Sequence, residues 1–211
     1  RVGNKILLMN TALIVDTRPL PNLKEIIDRH FKYLSKEWHL HFCGSIYNQK
    51  TVKELFPDCI FQCLYFPESI GSEYNSLLTK IGFWQSIPDE NILIFQHDSG
   101  ILRTGIEDFF EYDFIGAPLY HIPFPHMNGG FSLRHKSAMI KCIEDSPYRG
   151  GMNEDMYFCE QLVKLGGKLP TKEVAQSFSV ETIFGLKSIG YHAINKWHTP
   201  EKCNQIINQY K

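Results

Sequence analysis

The most constraining feature of this sequence is a short apolar run that ends abruptly in polar residues. Residues 92–95 read Ile-Leu-Ile-Phe and are followed at once by Gln96, His97 and Asp98. Such a run predicts a strand buried on both faces of a sheet, between layers of helices. The carboxyl edge of an open α/β sheet is where ligands bind. We therefore expect a ligand site here, with Gln96 and Asp98 on one face and His97 on the other. The alternative is a polar strand end that turns into a loop.

The rest of the chain alternates between predicted strands and predicted helices. Apolar runs predict further strands at residues 12–15, 38–42, 59–66, 114–118, 131–134 and 177–182. Helical periodicity predicts helices at 22–34, 52–55, 74–84, 106–112, 137–143, 153–165 and 199–210. Asn22 and Glu25 have the spacing of a capping box, and Pro200 after Thr199 is typical of a first helical turn. The alternation predicts an α/β fold with a parallel sheet.

Composition narrows the class of protein. The chain has 211 residues, 43% hydrophobic and 21% charged, as expected of one globular domain. A net charge of -1 without a basic run argues against an extended nucleic-acid surface. No apolar stretch approaches the roughly 20 residues that span a bilayer. Six cysteines without a C-x-x-C pair predict reduced thiols and a cytoplasmic location. Because the chain begins with Arg1 rather than Met, we expect a trimmed or processed product.

A glycine-containing segment at residues 128–134, Asn-Gly-Gly-Phe-Ser-Leu-Arg, is the second candidate site. It matches neither G-x-x-x-x-G-K-[ST] nor G-x-G-x-x-G, which argues against a phosphate loop. G-x-S-x-G is absent as well, which excludes the hydrolase nucleophile elbow. Paired glycines allow close approach of the backbone. Asn128, Ser132 and Arg134 beside Gly129 and Gly130 suit recognition of a polyhydroxyl ligand, and a tight turn into a strand is the alternative.

A third candidate, Asn153-Glu154-Asp155, opens a predicted helix. Asn is a preferred N-cap, and acidic residues in the first turn favour the helix dipole, so all three have a structural explanation. The functional interpretation uses the same physics. A helix N-terminus keeps a carboxylate ionised and able to accept a proton from a substrate hydroxyl.

These blocks, in this order, resemble a glycosyltransferase-like family of bacterial, fungal and large-virus proteins that is often labelled only as a domain of unknown function. The blocks are F-Q-x-D-S, Y-D-[FY]-I-G-A-P, N-G-G-F-S-L-R, N-E-D, F-S-V-E and G-x-H-x-x-x-W, here at residues 95–99, 112–118, 128–134, 153–155, 178–181 and 190–197. The resemblance covers most of residues 12–197. It implies an α/β fold: a single GT-A-like nucleotide-sugar-binding domain over residues 1–211, with a mixed, mostly parallel sheet flanked by helices.

The resemblance also implies an activity. A glycosyltransferase of this type moves a sugar from a nucleotide-diphosphate sugar to a hydroxyl of a glycan or protein-linked acceptor. A UDP-sugar is the expected donor. Enzymes of this fold usually carry Asp-x-Asp at the end of the central strand, and here the first carboxylate is replaced by Gln96. The family pattern then makes Asp98 the principal metal ligand and His192 the second. One carboxylate and one imidazole suit Mn²⁺, or else Mg²⁺.

The remaining assignments also follow from the resemblance. Asp155 is the first choice for the base of an inverting transfer and Glu154 the second, whereas a retaining transfer needs no such base. The residues expected to contact the donor sugar or nucleotide are Thr17, Arg18, Tyr74, Gln96, His97, Asn128, Gly129, Gly130, Ser132, Arg134, Lys196 and Trp197. Two alternatives remain: a catalytically silent nucleotide-sugar or glycan-binding module, which would bind without turnover, and a nucleotidyltransferase, which would release pyrophosphate.

Overall fold

The computed structural model describes residues 9–64 and 72–211. The strands are β1 (Asn10–Val15), β2 (Trp38–Gly44), β3 (Ile60–Cys63), β4 (Asn91–Phe95), β5 (Ser99–Ile101), β6 (Phe114–Ile115), β7 (Phe131–His135), β8 (Ser179–Val180) and β9 (Gly190–His192). The helices are α1 (Leu23–Phe31), α2 (Ile46–Leu55), α3 (Ser72–Leu78), α4 (Ile81–Gln85), α5 (Lys136–Asp145), α6 (Glu154–Leu165), α7 (Lys172–Phe178) and α8 (Pro200–Asn208). Short 3₁₀ helices cover Ile106–Phe109 and Ile194–Lys196.

The larger sheet has the strand order β3-β2-β1-β4-β7-β6 in the described residues. β1 is parallel to both β2 and β4, and β2 is parallel to β3. β7 runs antiparallel to β4 and to β6. This topology confirms the predicted α/β fold with a mixed, mostly parallel sheet. It also brings the start of β7 to the carboxyl end of β4, because the two strands run in opposite directions.

The central strand β4 is buried on both faces, as its continuous apolar sequence predicts. Ile92 and Ile94 pack with residues of α4, α5 and α6 on one face of the sheet. Leu93 and Phe95 pack with residues of α1 on the other face. All four side chains are fully buried. This two-sided core fixes the position of the polar residues that follow Phe95.

Several predicted boundaries are wrong, for local reasons. The predicted helix at 74–84 is two helices, α3 and α4, because Lys80 adopts an extended conformation between them. The Thr79 hydroxyl bonds back to the carbonyl of Asn75, and the Trp84 indole donates to the carbonyl of Leu78, so the break leaves these groups paired. In the predicted strand at 177–182, the first two residues end α7, Ser179–Val180 are extended, and the last two form a bend.

Other boundaries differ by a few residues. α2 begins six residues before the predicted start, the helix predicted at 106–112 is only the 3₁₀ turn Ile106–Phe109, and the strand predicted at 114–118 ends at Ile115. Residues 65–66 of the strand predicted at 59–66 lie outside the described residues. Asn22 precedes α1 but makes no side-chain capping bond, so the predicted capping box is absent. At α8 the prediction is confirmed, since Thr199 accepts from the backbone N–H of Lys202 and Pro200 follows.

A second, smaller sheet carries the late part of the chain back to the central strand. Its order is β5-β9-β8, with β9 antiparallel to β5 and parallel to β8. The register pairs Ser99 with His192. This pairing places residue 192 next to the polar end of β4. All six cysteines are free thiols. None of the helices in the described part of the chain has the length and apolar character needed to cross a membrane.

Candidate active site

A cleft of about 210 Å³ lies at the carboxyl end of β4. Its walls come from the end of β4, from the segment before β7, from the start of α6 and from β9. The residues that line it are Tyr74, Asn75, Gln96, Asn128, Gly129, Gly130, Asn153, Glu154, Asp155 and His192. Two groups of charged side chains flank this cleft, and they differ in how completely their polar atoms are paired.

The first group, the open cluster, consists of Gln96, Asp98, Glu181 and His192. The Nε2 atom of His192 lies 3.1 Å from the amide oxygen of Gln96 and 3.2 Å from Oδ1 of Asp98. The other ring nitrogen, Nδ1, lies 3.5 Å from Oε2 of Glu181. The structure therefore brings together the two predicted metal ligands and adds one amide oxygen and one further carboxylate.

A tight turn explains why Gln96 and Asp98 reach the same imidazole. The backbone N–H and the hydroxyl of Ser99 both bond to the carbonyl of Gln96, at 3.1 and 2.7 Å. The chain therefore turns after Phe95 instead of continuing as a strand. Gln96 and Asp98 nevertheless point to one side, as predicted, while His97 contacts Arg18 on the other.

Electrostatics couple the members of the open cluster. Burial acts to lower the pKa of His192, but the contacts with Asp98 and Glu181 outweigh it and raise this pKa to about 9. Burial acts to raise the pKa of Asp98, but His192 and Lys196 hold it well below its usual range. Without an ion, the imidazole is therefore a cation between two carboxylates.

The open cluster contains oxygen and nitrogen donors of the kinds that bind divalent cations. Three of its buried atoms, Oδ1 of Asp98, Oε2 of Glu181 and Nδ1 of His192, make no hydrogen bond of good geometry. A ligating histidine commonly donates its second ring N–H to a carboxylate, and Glu181 occupies that position. No set of three or more His, Cys, Asp or Glu side chains in residues 9–64 and 72–211 is arranged to hold a metal. An ion here would use few protein ligands, which suits Mn²⁺ or Mg²⁺ completed by phosphate and water oxygens.

The second group, the closed pair, is Arg134 with Glu154. The two guanidinium nitrogens donate to the two carboxylate oxygens at 2.6 and 3.0 Å, and Arg134 is fully buried. Its Nε donates to the hydroxyl of Ser132, which is itself buried, and its guanidinium lies 4.6 Å from the ring centroid of Phe114. Every strong donor and acceptor of the pair has a partner within the protein.

The contacts of the closed pair differ from the roles predicted for three residues. Arg134 and Ser132 are expected from the sequence to contact the donor, but both are buried and bonded to protein atoms. Glu154 is the second choice for the base, but both of its carboxylate oxygens accept from Arg134. This geometry fits a structural role for these residues, because a fully paired buried group has no atom left for a substrate.

Asp155, the neighbour of Glu154, faces the cleft in a different environment. Its Oδ2 accepts from the backbone N–H of Gly129 at 2.9 Å and its Oδ1 accepts from that of Met156 at 2.8 Å. Burial, and then the charge of Glu154, raise the pKa of Asp155 to about 6. A carboxylate with that pKa is ionised at neutral pH and basic enough to accept a proton.

Gly129 lies against the closed pair, and Gly130 lies against the open cluster. A Cβ at Gly129 would lie 2.5 Å from a guanidinium nitrogen of Arg134, and a Cβ at Gly130 would lie 2.3 Å from Nε2 of His192. Asn128 accepts from the backbone N–H of Gly130 at 2.6 Å, which holds the turn. The paired glycines therefore allow the backbone to pack closely against both groups, as expected from the sequence.

Of the remaining predicted donor contacts, only Tyr74 lines the cleft. Lys196 donates to Oδ2 of Asp98 at 2.9 Å, and the adjacent Trp197 ring stacks on His121 while 43% of Trp197 stays exposed. Arg18 pairs with Asp16 and reaches Nδ1 of His97 at 3.1 Å. The hydroxyls of Thr17 and Tyr74 are both buried and lack a hydrogen-bond partner. The Tyr74 hydroxyl borders the cleft itself, and burial raises its pKa.

Three residues of the site were given no ligand contact from the sequence, although Asn153 belongs to the third candidate segment. Asn75 and Asn153 line the cleft, and Glu181 contacts the imidazole of His192. Asn153 precedes α6 but makes no capping bond of its own; instead the side chain of Asn75 accepts from the backbone N–H of Glu154 at 3.0 Å. The one sequence signal for Glu181 is its position in the F-S-V-E block, because its contact with His192 forms only when the chain folds.

Comparison with solved structures shows a glycosyltransferase-like fold. The chain is similar to mouse xyloside xylosyltransferase 1 in its apo form, with a TM-score of 0.55, 12% identity, and coverage of 90% of this chain and 99% of that chain. The apo form of the glycosyltransferase GlyE of Streptococcus pneumoniae TIGR4 matches with a TM-score of 0.49, 7% identity and 81% coverage of this chain. This chain spans only 46% of the length of that GlyE structure.

Sequence comparisons supply the family. No curated protein matched the chain. One family model matched residues 60–192, which include the end of β4, the paired glycines, the start of α6 and His192. That span is more than half of the sequence, and the chain therefore belongs to the family described as "Protein of unknown function (DUF5672)".

Proposed function

We propose that this protein is a metal-dependent glycosyltransferase that moves a sugar from a nucleotide-diphosphate sugar to an acceptor hydroxyl. One observation carries the proposal: Gln96 and Asp98 converge on the imidazole of His192 at the carboxyl end of β4, and Gln96 and His192 line the same cleft as Asp155. The glycosyltransferase-like fold supports it, because this edge of an α/β sheet is where ligands bind. A UDP-sugar is the expected donor.

The open cluster would hold Mn²⁺ or Mg²⁺. Oδ1 of Asp98, the amide oxygen of Gln96 and Nε2 of His192 are the protein ligands, and Glu181 holds the imidazole through Nδ1. When bound, the cation stabilises the negative charge that develops on the departing diphosphate. The amide of Gln96 takes the place of the first carboxylate of the Asp-x-Asp pattern, so the protein supplies one negative charge less.

Positive side chains next to the open cluster suit the diphosphate. Lys196 lies 2.9 Å from Asp98 and its side chain is 60% exposed, so its ammonium can turn to a phosphate oxygen. Arg18 is also partly exposed and borders His97 on the opposite side. Both cations offer charge-assisted hydrogen bonds, which are stronger than neutral ones. We assign the donor diphosphate to the space between them.

Asp155 is the proposed base for an inverting transfer. Its carboxylate is held by two backbone N–H groups, so its position is fixed before an acceptor arrives. A positioned base of this kind contributes about 10²–10⁴-fold in rate. A retaining transfer, which needs no such base, is separated from this mechanism by the anomeric configuration of the product.

The direct test is a thermal-shift screen of nucleotide sugars with and without MnCl₂, followed by an assay for released nucleoside diphosphate. Binding to the native state raises the apparent stability, by about 2.7 kcal/mol at a hundredfold excess over Kd. We expect at least one nucleotide sugar to raise Tm only when Mn²⁺ is present. If no nucleotide sugar shifts Tm in the presence of Mn²⁺, the proposal is wrong.

A second candidate function is a binding module without catalysis. The observation that favours it is Gln96, which weakens the charge of the proposed metal site relative to Asp-x-Asp. Such a module would bind the nucleotide sugar and metal in the thermal-shift screen. It would release no nucleoside diphosphate, with water or with any acceptor, which separates it from the transferase.

A further inference from the structure

A second, larger cavity opens beside the candidate active site. This cavity, the outer groove, has a volume of about 740 Å³ and is lined by the exposed face of α3 and by the loop before α6. The residues that matter below are Asn75, Ser76, Tyr148, Arg149 and Asn153. We propose that the outer groove binds the acceptor of the transfer and that this acceptor is a carbohydrate. The proposal rests on the proposed function.

Continuity with the cleft is the first argument. Asn75 and Asn153 line both cavities, and they are joined to each other by a contact of 3.5 Å between their amide groups. Asn75 also accepts from the backbone N–H of Glu154, the residue before Asp155. A molecule in the outer groove therefore meets the cleft at the side where the proposed base lies. An acceptor must approach from there to present a hydroxyl to Asp155.

Size is the second argument. Ligand sites commonly have volumes of about 300–1,000 Å³. The cleft, at about 210 Å³, is small for a donor sugar and an acceptor together. The outer groove, at about 740 Å³, falls within the usual range. The two cavities together have room for both substrates of a transfer reaction.

The chemistry of the lining favours a carbohydrate. Asn75, Asn153, Ser76 and Arg149 offer amide, hydroxyl and guanidinium groups, which pair with sugar hydroxyls. Arg149 is exposed and makes no ion pair within the described part of the chain. Tyr148 adds an aromatic ring, an amphipathic surface for the C–H face of a sugar. Polar side chains outnumber Tyr148 and Met152 in this lining, which suits a sugar better than an apolar peptide side chain.

The outer groove is preformed, which lowers the cost of binding. The hydroxyl of Tyr148 donates to the carbonyl of Met152 and so closes the loop on itself. The Tyr148 ring also packs edge-to-face on Tyr157 of α6, with centroids 5.3 Å apart. Between these anchors, Gly150 and Gly151 have φ of 83° and 89°, and a Cβ at either position would meet nothing within 4 Å. The turn is therefore held in place while its outer side stays open.

The test uses an array of immobilised oligosaccharides, probed with the labelled protein in the presence of UDP and MnCl₂. Ser76 lies in the outer groove and not in the cleft, so Ser76→Trp fills the groove without touching the proposed metal site. We expect wild-type protein to bind a defined set of glycans, and Ser76→Trp to bind them at least tenfold more weakly with unchanged UDP–Mn²⁺ affinity. Ser76→Ala is the matched control and should bind as wild type does. If Ser76→Trp does not fold, Arg149→Glu replaces it as the test variant.

Each outcome separates the two proposals. If UDP-sugars and Mn²⁺ do not bind, the proposed function fails. If they bind but the wild type recognises no oligosaccharide on the array, the acceptor is not a carbohydrate and this inference is wrong. If glycans bind equally well to wild type, Ser76→Trp and Arg149→Glu, a carbohydrate acceptor lies elsewhere and the assignment of the outer groove is wrong.

Discussion

The two charged groups beside the cleft each join a cationic side chain to carboxylate, but they differ in how completely their polar atoms are paired. The closed pair joins Arg134 to Glu154 through two hydrogen bonds in a fully buried position. The open cluster places His192 between two carboxylates and leaves three buried atoms without a good hydrogen bond. Gly129 packs on the first group and Gly130 on the second, so the groups are close neighbours.

This difference in pairing indicates that the two groups have different roles. Buried polar groups in native proteins are nearly always satisfied, and a group that is not requires an explanation. The closed pair needs no ligand to satisfy its hydrogen bonds, so we infer that it stabilises the fold. The ion contacts of the open cluster leave three buried atoms without a hydrogen bond, and an unpaired group in a low-dielectric interior is costly. We therefore expect substitutions in the closed pair to affect stability and substitutions in the open cluster to affect ligand binding.

The largest effect should come from Asp98→Ala. This change removes the carboxylate of the proposed metal site, so we expect no detectable binding of UDP with Mn²⁺ by titration calorimetry. Asp58→Ala, at an exposed aspartate before β3, is the matched control and should bind as wild type does. Unchanged UDP affinity in Asp98→Ala, with a native circular dichroism spectrum, would remove this residue from the site.

Next in size is Asp155→Asn, which should lower the rate of transfer by about 10²–10⁴-fold while donor binding stays intact. The amide cannot accept the proton of the acceptor hydroxyl. Glu154→Gln is the matched control, measured below its own melting temperature, and should keep most of the activity despite reduced stability. Full activity in Asp155→Asn would favour a retaining transfer.

The same carboxylate predicts the pH dependence of transfer. Burial raises the pKa of Asp155 to about 6, so the proton-accepting form is present above that pH and is lost below it. The rate of the wild type should therefore fall about tenfold per pH unit below pH 6. The residual rate of Asp155→Asn should lack this acid limb, and an identical limb in both proteins would assign it to another group.

Arg134→Met should act on stability instead of binding. Removing one partner of a buried ion pair commonly costs about 3–5 kcal/mol, because the other charge is left uncompensated. Urea unfolding measures this loss. In the double variant with Glu154→Leu, most of the stability should return, since apolar residues can replace such a pair. A loss below about 1 kcal/mol in Arg134→Met would mean that the closed pair is not structural.

The smallest effect is expected from Glu181→Gln. Groups that orient a metal-ligating histidine typically contribute 10–100-fold to metal affinity. We expect a loss of that size in Mn²⁺ affinity by calorimetry, with UDP present. Glu160→Gln is the matched control, because Glu160 also contacts a histidine, His126 at 3.6 Å, outside the cleft. Equal Mn²⁺ affinity in both variants would exclude Glu181 from the metal site.

Sequence patterns predicted the features that depend on residues close together in the chain. The continuous apolar run at residues 92–95 gave the central strand, and the polar residues after it gave the position of the cleft. The sequence also predicted that His192 lies near Asp98, through a family resemblance and not through spacing. The contact of Glu181 with His192 and the burial of Arg134 were not predicted, because both depend on how separate strands and helices pack against one another.

The pairing of Ser99 with His192 has a consequence for the whole carboxyl-terminal half of the chain. Successive side chains in a strand point to opposite faces, so a shift of one residue between β5 and β9 would turn the imidazole away from Asp98. Two short backbone ladders, β5 with β9 and β8 with β9, therefore determine whether residue 192 faces the end of β4.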